Sequence, residues 1–202
     1  MQNQNSLSKE RIARFIKREC IEYSPKESYF FGKLPGARYK SQFYLSRLLY
    51  NQELMKDVAE HFHDIVEKEI GHWNFQLAGR EWSAIPLLMF LPQYLEHFKF
   101  VSINSFMIKR DRKTYGIHNY IEGQPNNLPV LMVDDLCNST NSFIHCKKVI
   151  QAKETGLELL PFIFAVLNKK HYEVEDTMKF DKYLGSDYKA LSVLIRNDVM
   201  KG

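Results

Sequence analysis

Long apolar runs are missing from this sequence. The longest, residues 84–92 and 159–167, are nine residues each with their prolines counted. Crossing a bilayer takes about 20 apolar residues, so no transmembrane helix is expected. The first 20 residues are polar and then charged, without the apolar stretch of a secretory signal. Cysteine is scarce. Cys20, Cys137 and Cys146 are an odd count with no CxxC spacing, which argues against a disulfide framework and a cysteine-rich zinc site and points to a reducing cytoplasm. Neither sign of charge dominates: 28 Lys and Arg stand against 24 Asp and Glu, for a net +4. A nucleic-acid coat calls for more, so nucleic acid is not an expected partner. A small anion in a local basic site is compatible with this balance. Internal repeats and low-complexity stretches are absent.

What is present is enough for one globular domain. The chain has 202 residues and is 45% hydrophobic, which provides for a core. Residues 8–20 read as a helix capped by Ser8, with Ile12, Phe15 and Ile16 on one face. Aromatic runs at 29–31 and 43–45 suggest two short strands around a turn. Asn51 caps a longer helix whose apolar residues, Leu54 to Ile70, keep the 3.6 period, and Gly71 ends it. Alternation then begins. Strands are expected at 73–78, 101–108, 130–133 and 159–167, and helices at 82–98 and 142–155. Pro86 belongs in the first turn of the 82–98 helix, and Pro92 interrupts it. Residues 187–200 read as a final helix or strand. Such alternation implies an α/β fold, a central parallel sheet flanked by helices. Ligands of such sheets sit beyond the carboxyl ends of the strands, which directs attention to 79–83, 109–120 and 134–142.

Three segments there carry chemistry. In Val130-Leu-Met-Val-Asp-Asp-Leu-Cys-Asn-Ser-Thr-Asn-Ser142 an apolar strand delivers Asp134 and Asp135, followed by hydroxyl and amide side chains and then a helix. Carboxylates accept hydrogen bonds from vicinal ribose hydroxyls, and a loop at a helix N-terminus holds phosphate. The competing reading is a strand-end aspartate pair that only caps the helix. In the second segment, four of residues 109–113 are basic (Lys109, Arg110, Arg112 and Lys113). They suit a polyanion, or are simply a solvated loop. The third, Gly79-Arg80-Glu81-Trp82-Ser83, is a strand–loop–helix corner with a glycine where backbone approaches closely.

In order and spacing the three together resemble a type I phosphoribosyltransferase of the orotate branch. That family's G-V-P-Y-T-A-L-P loop corresponds to Gly79-Arg-Glu-Trp-Ser-Ala-Ile-Pro86. Its mobile loop R-K-x-x-K-x-(H/Y)-G corresponds to Lys109 through Tyr115 and Gly116. Its E-G pair is matched by Glu122-Gly123, and its phosphoribosyl diphosphate (PRPP) motif aligns with residues 133–142. The resemblance covers about residues 27–170 of 202. It implies a small N-terminal hood over residues 1–72 and a core over 73–202, within one structural domain.

The resemblance also implies roles. Asp134 and Asp135 would lie under the PRPP ribose. Asn138, Ser139, Thr140, Asn141 and Ser142 would hold the 5′-phosphate. Gly79 to Ser83, with Arg80, would contact pyrophosphate. Lys109, Arg110 and Lys113 would reach it as charge builds, with Lys113 catalytic and Tyr115 in the same loop. Lys169 would stand toward the acceptor, and Phe43 and Tyr44 read either as stacking on its base or as packing within the hood. Mg2+ would arrive with PRPP, and a homodimer is implied.

The departures from the family pattern are specific. Thr140 and Asn141 stand where the family has glycines, and a β-branched Thr adopts φ > 0 poorly. Asn168 or Lys169 stands where an arginine reads the orotate carboxylate, and a lysine does not reproduce a bidentate clamp. Lys33-Leu-Pro-Gly36 is only a loose counterpart of the hood's Lys-Ser-Gly element, and Ser46 replaces its acidic residue. Two readings follow: transfer of ribose 5-phosphate to a nitrogen nucleophile other than simple orotate, or a degenerate PRPP-binding regulator or scaffold. His61 and His63, two apart on a helix, do not share one ligand. Cys137 reads as a packing residue. Trp73, Phe75, Phe162 and Phe164 read as core strand residues.

Overall fold

The computed structural model describes residues 2–31, 38–111, 120–137, 141–151, 156–169 and 188–200. Helix α1 spans Gln2–Phe15 and passes into one π-helical turn, Ile16–Cys20. It starts well before Ser8. Asn5 donates from Nδ2 to Asp64 at 2.6 Å, and the Ser8 hydroxyl donates to the Asn5 carbonyl and meets His61 Nε2 at 2.9 Å. Polar contacts with a second helix therefore extend α1 beyond what its own periodicity shows. Ile12 and Ile16, four apart, are fully buried.

Four short strands follow: β1 (Ile21–Tyr23), β2 (Phe30–Phe31), β3 (Arg38–Tyr39) and β4 (Ser41–Phe43). The two aromatic runs do not pair with each other. β2 pairs with β3, and β4 pairs with β1, placing Ile21 opposite Phe43. The stretch around Lys33 lies outside the described residues. A short helix α2 (Ser46–Leu49) precedes α3 (Gln52–Glu69). Asn51 caps α3, its side chain accepting from the Leu54 N–H at 3.2 Å. Gly71, at φ 75°, closes it with its N–H on the Val66 carbonyl.

The remaining elements are β5 (Gln76–Arg80), α4 (Ile85–Lys99), β6 (Ser105–Ile108), β7 (Ile121–Glu122), β8 (Val130–Cys137), α5 (Asn141–Ile150), β9 (Leu159–Asn168), β10 (Lys189–Ile195) and α6 (Arg196–Met200). β5 begins three residues later than the pattern suggests. Trp73 and Phe75 pack their rings on each other at 5.8 Å, and Trp73 lies 6.1 Å from the Phe62 ring. β6 starts at 105, not 101. Helix α4 starts at 85 because 81–84 turn first, and Pro86 lies in its first turn. The final stretch is both a strand and a helix.

Six strands form one sheet in the order β10-β9-β8-β5-β6-β7, with every neighbour parallel except the β6–β7 pair. Period-2 alternation divides its core between two faces. Leu77, Leu131, Val133, Phe164 and Val166 join α1, α3 and α4 on one face. Ala78, Val130, Met132, Ile163 and Ala165 join α5 on the other. Phe62 of α3 meets Phe164 of β9 edge to face at 4.8 Å, and both are fully buried. Phe62→Ala is expected to cost about 3–5 kcal/mol in urea denaturation. Among the described residues no helix is long and apolar enough to cross a membrane.

Candidate functional site

Parallel pairing places the carboxyl ends of β5, β6, β8 and β9 along one rim. The chain goes from β5 outward to β6 and then returns to the other side of β5 as β8. This reversal opens a crevice between β5 and β8. Gly79 sits at its base. A Cβ there would lie 2.6 Å from the Val133 carbonyl oxygen and 2.3 Å from the Ala84 Cβ. Only glycine lets the corner after β5 fold so tightly over β8.

Asp134 and Asp135 lie within β8, which runs on to Cys137 rather than ending before them. Asp134 is buried. Its Oδ1 accepts from the Ser83 hydroxyl at 2.7 Å and from the Asp135 N–H at 2.9 Å. Burial pushes its carboxyl above the usual carboxylate range, against the pull of those hydrogen bonds and of the Arg80 charge. Asp135 keeps a partly open face. Burial, and then the Asp134 charge, push its carboxyl well up. Arg80 reaches across the crevice to the Ser142 hydroxyl at the start of α5, at 3.5 Å.

The 79–83 corner is strained. Trp82 has φ 67° and an 82% exposed side chain. A bulky residue holds this conformation only where its surroundings impose it. Here the Glu81 N–H on the Ile108 carbonyl, and Ser83 on Asp134, grip both sides of it.

Lys109 departs from the mobile-loop expectation. It is 5% exposed, and its Nζ pairs with Glu122 at 3.0 Å. Its N–H donates to the Tyr120 carbonyl, and its own carbonyl meets His145 Nε2 at 2.8 Å. It is anchored at the base of the β6–β7 hairpin. Arg110 is exposed beside Asp111. Lys113, Tyr115, Asn138, Ser139 and Thr140 lie outside the described residues, as does the side chain of Asn141.

On the opposite flank, the Lys169 N–H donates to the Cys137 carbonyl, and its Nζ sits 4.9 Å from the centre of the Phe43 ring. The hood strand β4 therefore reaches the end of β9. Tyr44 donates its hydroxyl to Gln42 at 2.9 Å and carries Arg47 near its ring. The structure brings Gly79, Arg80, Ser83, Asp134, Asp135 and Ser142 together, and separately Phe43 and Lys169. His145 and the strain at Trp82 carry no mark in the sequence, since both depend on contacts made in the fold.

Comparison with solved structures shows what this architecture is. Over 96% of this chain and 99% of the other, it superposes on the orotate phosphoribosyltransferase of Mycobacterium tuberculosis H37Rv with a TM-score of 0.70 at 15% identity. The fold is that of the type I phosphoribosyltransferases. A phosphoribosyltransferase from Corynebacterium diphtheriae matches with a TM-score of 0.68 at 17% identity, over 96% of this chain and 98% of that one. The adenine phosphoribosyltransferase of Trypanosoma brucei, solved with AMP, pyrophosphate and ribose 5-phosphate, matches with a TM-score of 0.62 at 13% identity, over 94% and 81%. No protein-family model matches the chain, and neither does any curated protein. The type I phosphoribosyltransferase fold is thus carried by a sequence far diverged from these structures.

His61 and His63 have partners in the fold. His61 meets Ser8, burial lowers its pKa, and His63 stacks on Trp73 at 5.5 Å. Cys137 and Cys146 are buried beside the crevice, and burial pushes the Cys146 thiol up to about 12. Such a thiol is a packing group rather than a nucleophile.

Proposed function

We propose that this protein is a phosphoribosyltransferase that binds PRPP in the β5–β8 crevice and transfers ribose 5-phosphate to a nitrogen nucleophile. The observation that carries this reading is the convergence of Asp134, Asp135, Arg80 and Ser142 around the close Gly79 corner. Asp135, with its open face, accepts hydrogen bonds from the ribose hydroxyls. Asp134 holds the 79–83 corner through Ser83. Ser142 and the start of α5 receive the 5′-phosphate. The bond from ribose C1 to the diphosphate oxygen breaks, and its electron pair leaves with pyrophosphate. The acceptor nitrogen forms the new bond to C1 and loses a proton. Arg80 and Lys113 offset the charge that grows on the leaving group.

Mg2+ fits only as a companion of the substrate. Among the described residues there is no cluster of three or more His, Cys, Asp or Glu that could hold an ion. An ion that keeps its waters and phosphate ligands needs just one or two carboxylates, and Asp135 meets that need. When bound, it would neutralise part of the diphosphate charge. Phe43 and Lys169 offer the acceptor an aromatic face beside a cation, and a homodimer is part of the same reading. A degenerate PRPP-binding regulator is the second reading, favoured by Thr140 and Asn141 in the phosphate loop.

Calorimetry with PRPP and Mg2+ should show binding, and none at any Mg2+ level would refute both readings. Pyrophosphate release, assayed against a panel of bases, then separates them. Release that falls about 10²-fold or more in Lys113→Ala marks the enzyme. Binding without release marks the regulator.

A further inference from the structure

The chain's net charge is +4, and residues 9–18 alone match it. Lys9, Arg11, Arg14, Lys17 and Arg18 stand there against Glu10. Arg11, Arg14, Phe15 and Arg18 stand at positions i, i+3, i+4 and i+7, so they share one face of α1 and its π-helical turn. That face lines an open groove of about 780 Å³, bordered on its other side by the first turn of α3. Arg11, Arg14, Lys17 and Arg18 are all exposed there.

The wall is more than a solvated charge run. Phe15 and the buried Leu54 give it an apolar side. Asn51 caps only the Leu54 N–H, and the first-turn N–H groups of Gln52 and Glu53 have no partner within the helix. Glu53 is the one carboxylate in the lining, and Lys56 takes it at 3.0 Å. Arg11 is fixed by Asp57, and Arg18 pairs at the surface with its neighbour Glu19. Arg14 makes no ion pair among the described residues. None of these residues belongs to the strand-end crevice. Helix α1 packs instead against α3, β10 and α6, at the far edge of the sheet.

We propose that this groove is a second ligand site, for a phosphate-bearing small molecule of nucleotide size. Its phosphates meet Arg14, Arg18 and Lys17 beside the start of α3, and its flat, less polar part lies on Phe15 and Leu54. The volume falls in the range of small-molecule clefts, about 300–1,000 Å³, and the mix of cations and an apolar wall suits a nucleotide. The π-helical turn that forms part of the lining leads directly into β1. π turns recur at functional positions.

ATP serves as the probe. Titrated into the 15N-labelled protein, it is expected to shift the amides of residues 11–18 and 51–54. Its affinity should fall at least tenfold in Arg14→Ala/Arg18→Ala. Arg11 is kept in that variant because it ties α1 to α3. The circular dichroism spectrum and PRPP binding of the variant should match the parent, so loss of this site and loss of the crevice can be told apart. Shifts confined to 79–83 and 134–142, or equal ATP affinity in the variant, would overturn the proposal. So would binding of single-stranded RNA or of phosphatidylserine vesicles through these residues with no binding of ATP.

Discussion

Asp135→Asn is expected to melt at a higher temperature than the parent at pH 7 and to lose transfer activity. The Asp135 carboxyl is pushed well up by burial and by the Asp134 charge beside it. In the unfolded chain it ionises near the ordinary value, about 3.9. As pH rises from there, the unfolded chain releases its proton first, and the folded chain loses stability until its own carboxyl ionises. Asparagine keeps the shape and removes that penalty. The gain should therefore grow as pH rises through the window above the ordinary value, and vanish below it. Each kcal/mol gained should raise Tm by about 2–4 °C in a chain of this size. Thermal melts between pH 4 and pH 8 check the sign. A variant no more stable than the parent at pH 7 would refute the account. On the proposed function, activity should fall about 10²-fold or more, because the charge assigned to the ribose hydroxyls is gone.

Gly79→Ala should act in the opposite direction on stability and in the same direction on activity. The new Cβ has no room, standing 2.6 Å from a backbone oxygen of β8 and 2.3 Å from Ala84 Cβ. Either the corner lifts or β8 shifts, at about 1–3 kcal/mol for overpacking. Lifting the corner draws Ser83 away from Asp134 and moves Arg80 relative to Ser142. Chemical denaturation and the pyrophosphate assay should both record the loss. Adding Ala84→Gly removes one of the two clashes and should restore part of the stability. No recovery in that double variant would place the strain wholly at the Val133 carbonyl.

Much of the sheet was legible because burial on both faces writes long apolar runs. Residues 130–133 and 159–167 gave themselves away in this manner, as did α3, whose stripe and Asn51 cap agree. The pair Asp134-Asp135 was legible as adjacent carboxylates after an apolar run, but not that Asp134 would hold the 79–83 corner through Ser83. β7 and β10 were harder. A two-residue strand has no period, and Lys189–Ile195 gains its identity from parallel pairing with β9, 27 or so residues away in sequence. The start of β5 differs because Trp73 and Phe75 look like strand residues, whereas the Trp73 ring packs on Phe62 and His63 of α3 and the Phe75 ring packs on Trp73.

The sequence by itself determined the class: an α/β chain with an acidic pair after an apolar strand and a basic segment downstream of the Gly79 corner. Those properties follow from local period and residue type. Only the tertiary structure decided how the residues divide their work. Lys109 looked like part of a basic loop, yet it is buried against Glu122. Asp134 and Asp135 looked equivalent, yet one grips Ser83 while the other keeps an open face. Arg80 belongs to the corner by sequence alone, and only the fold brings it to Ser142 across the crevice. Each of these outcomes depends on a partner 13 to 62 residues away. Linear patterns record what a residue is, whereas burial and partnership across the sheet set what its charge can do.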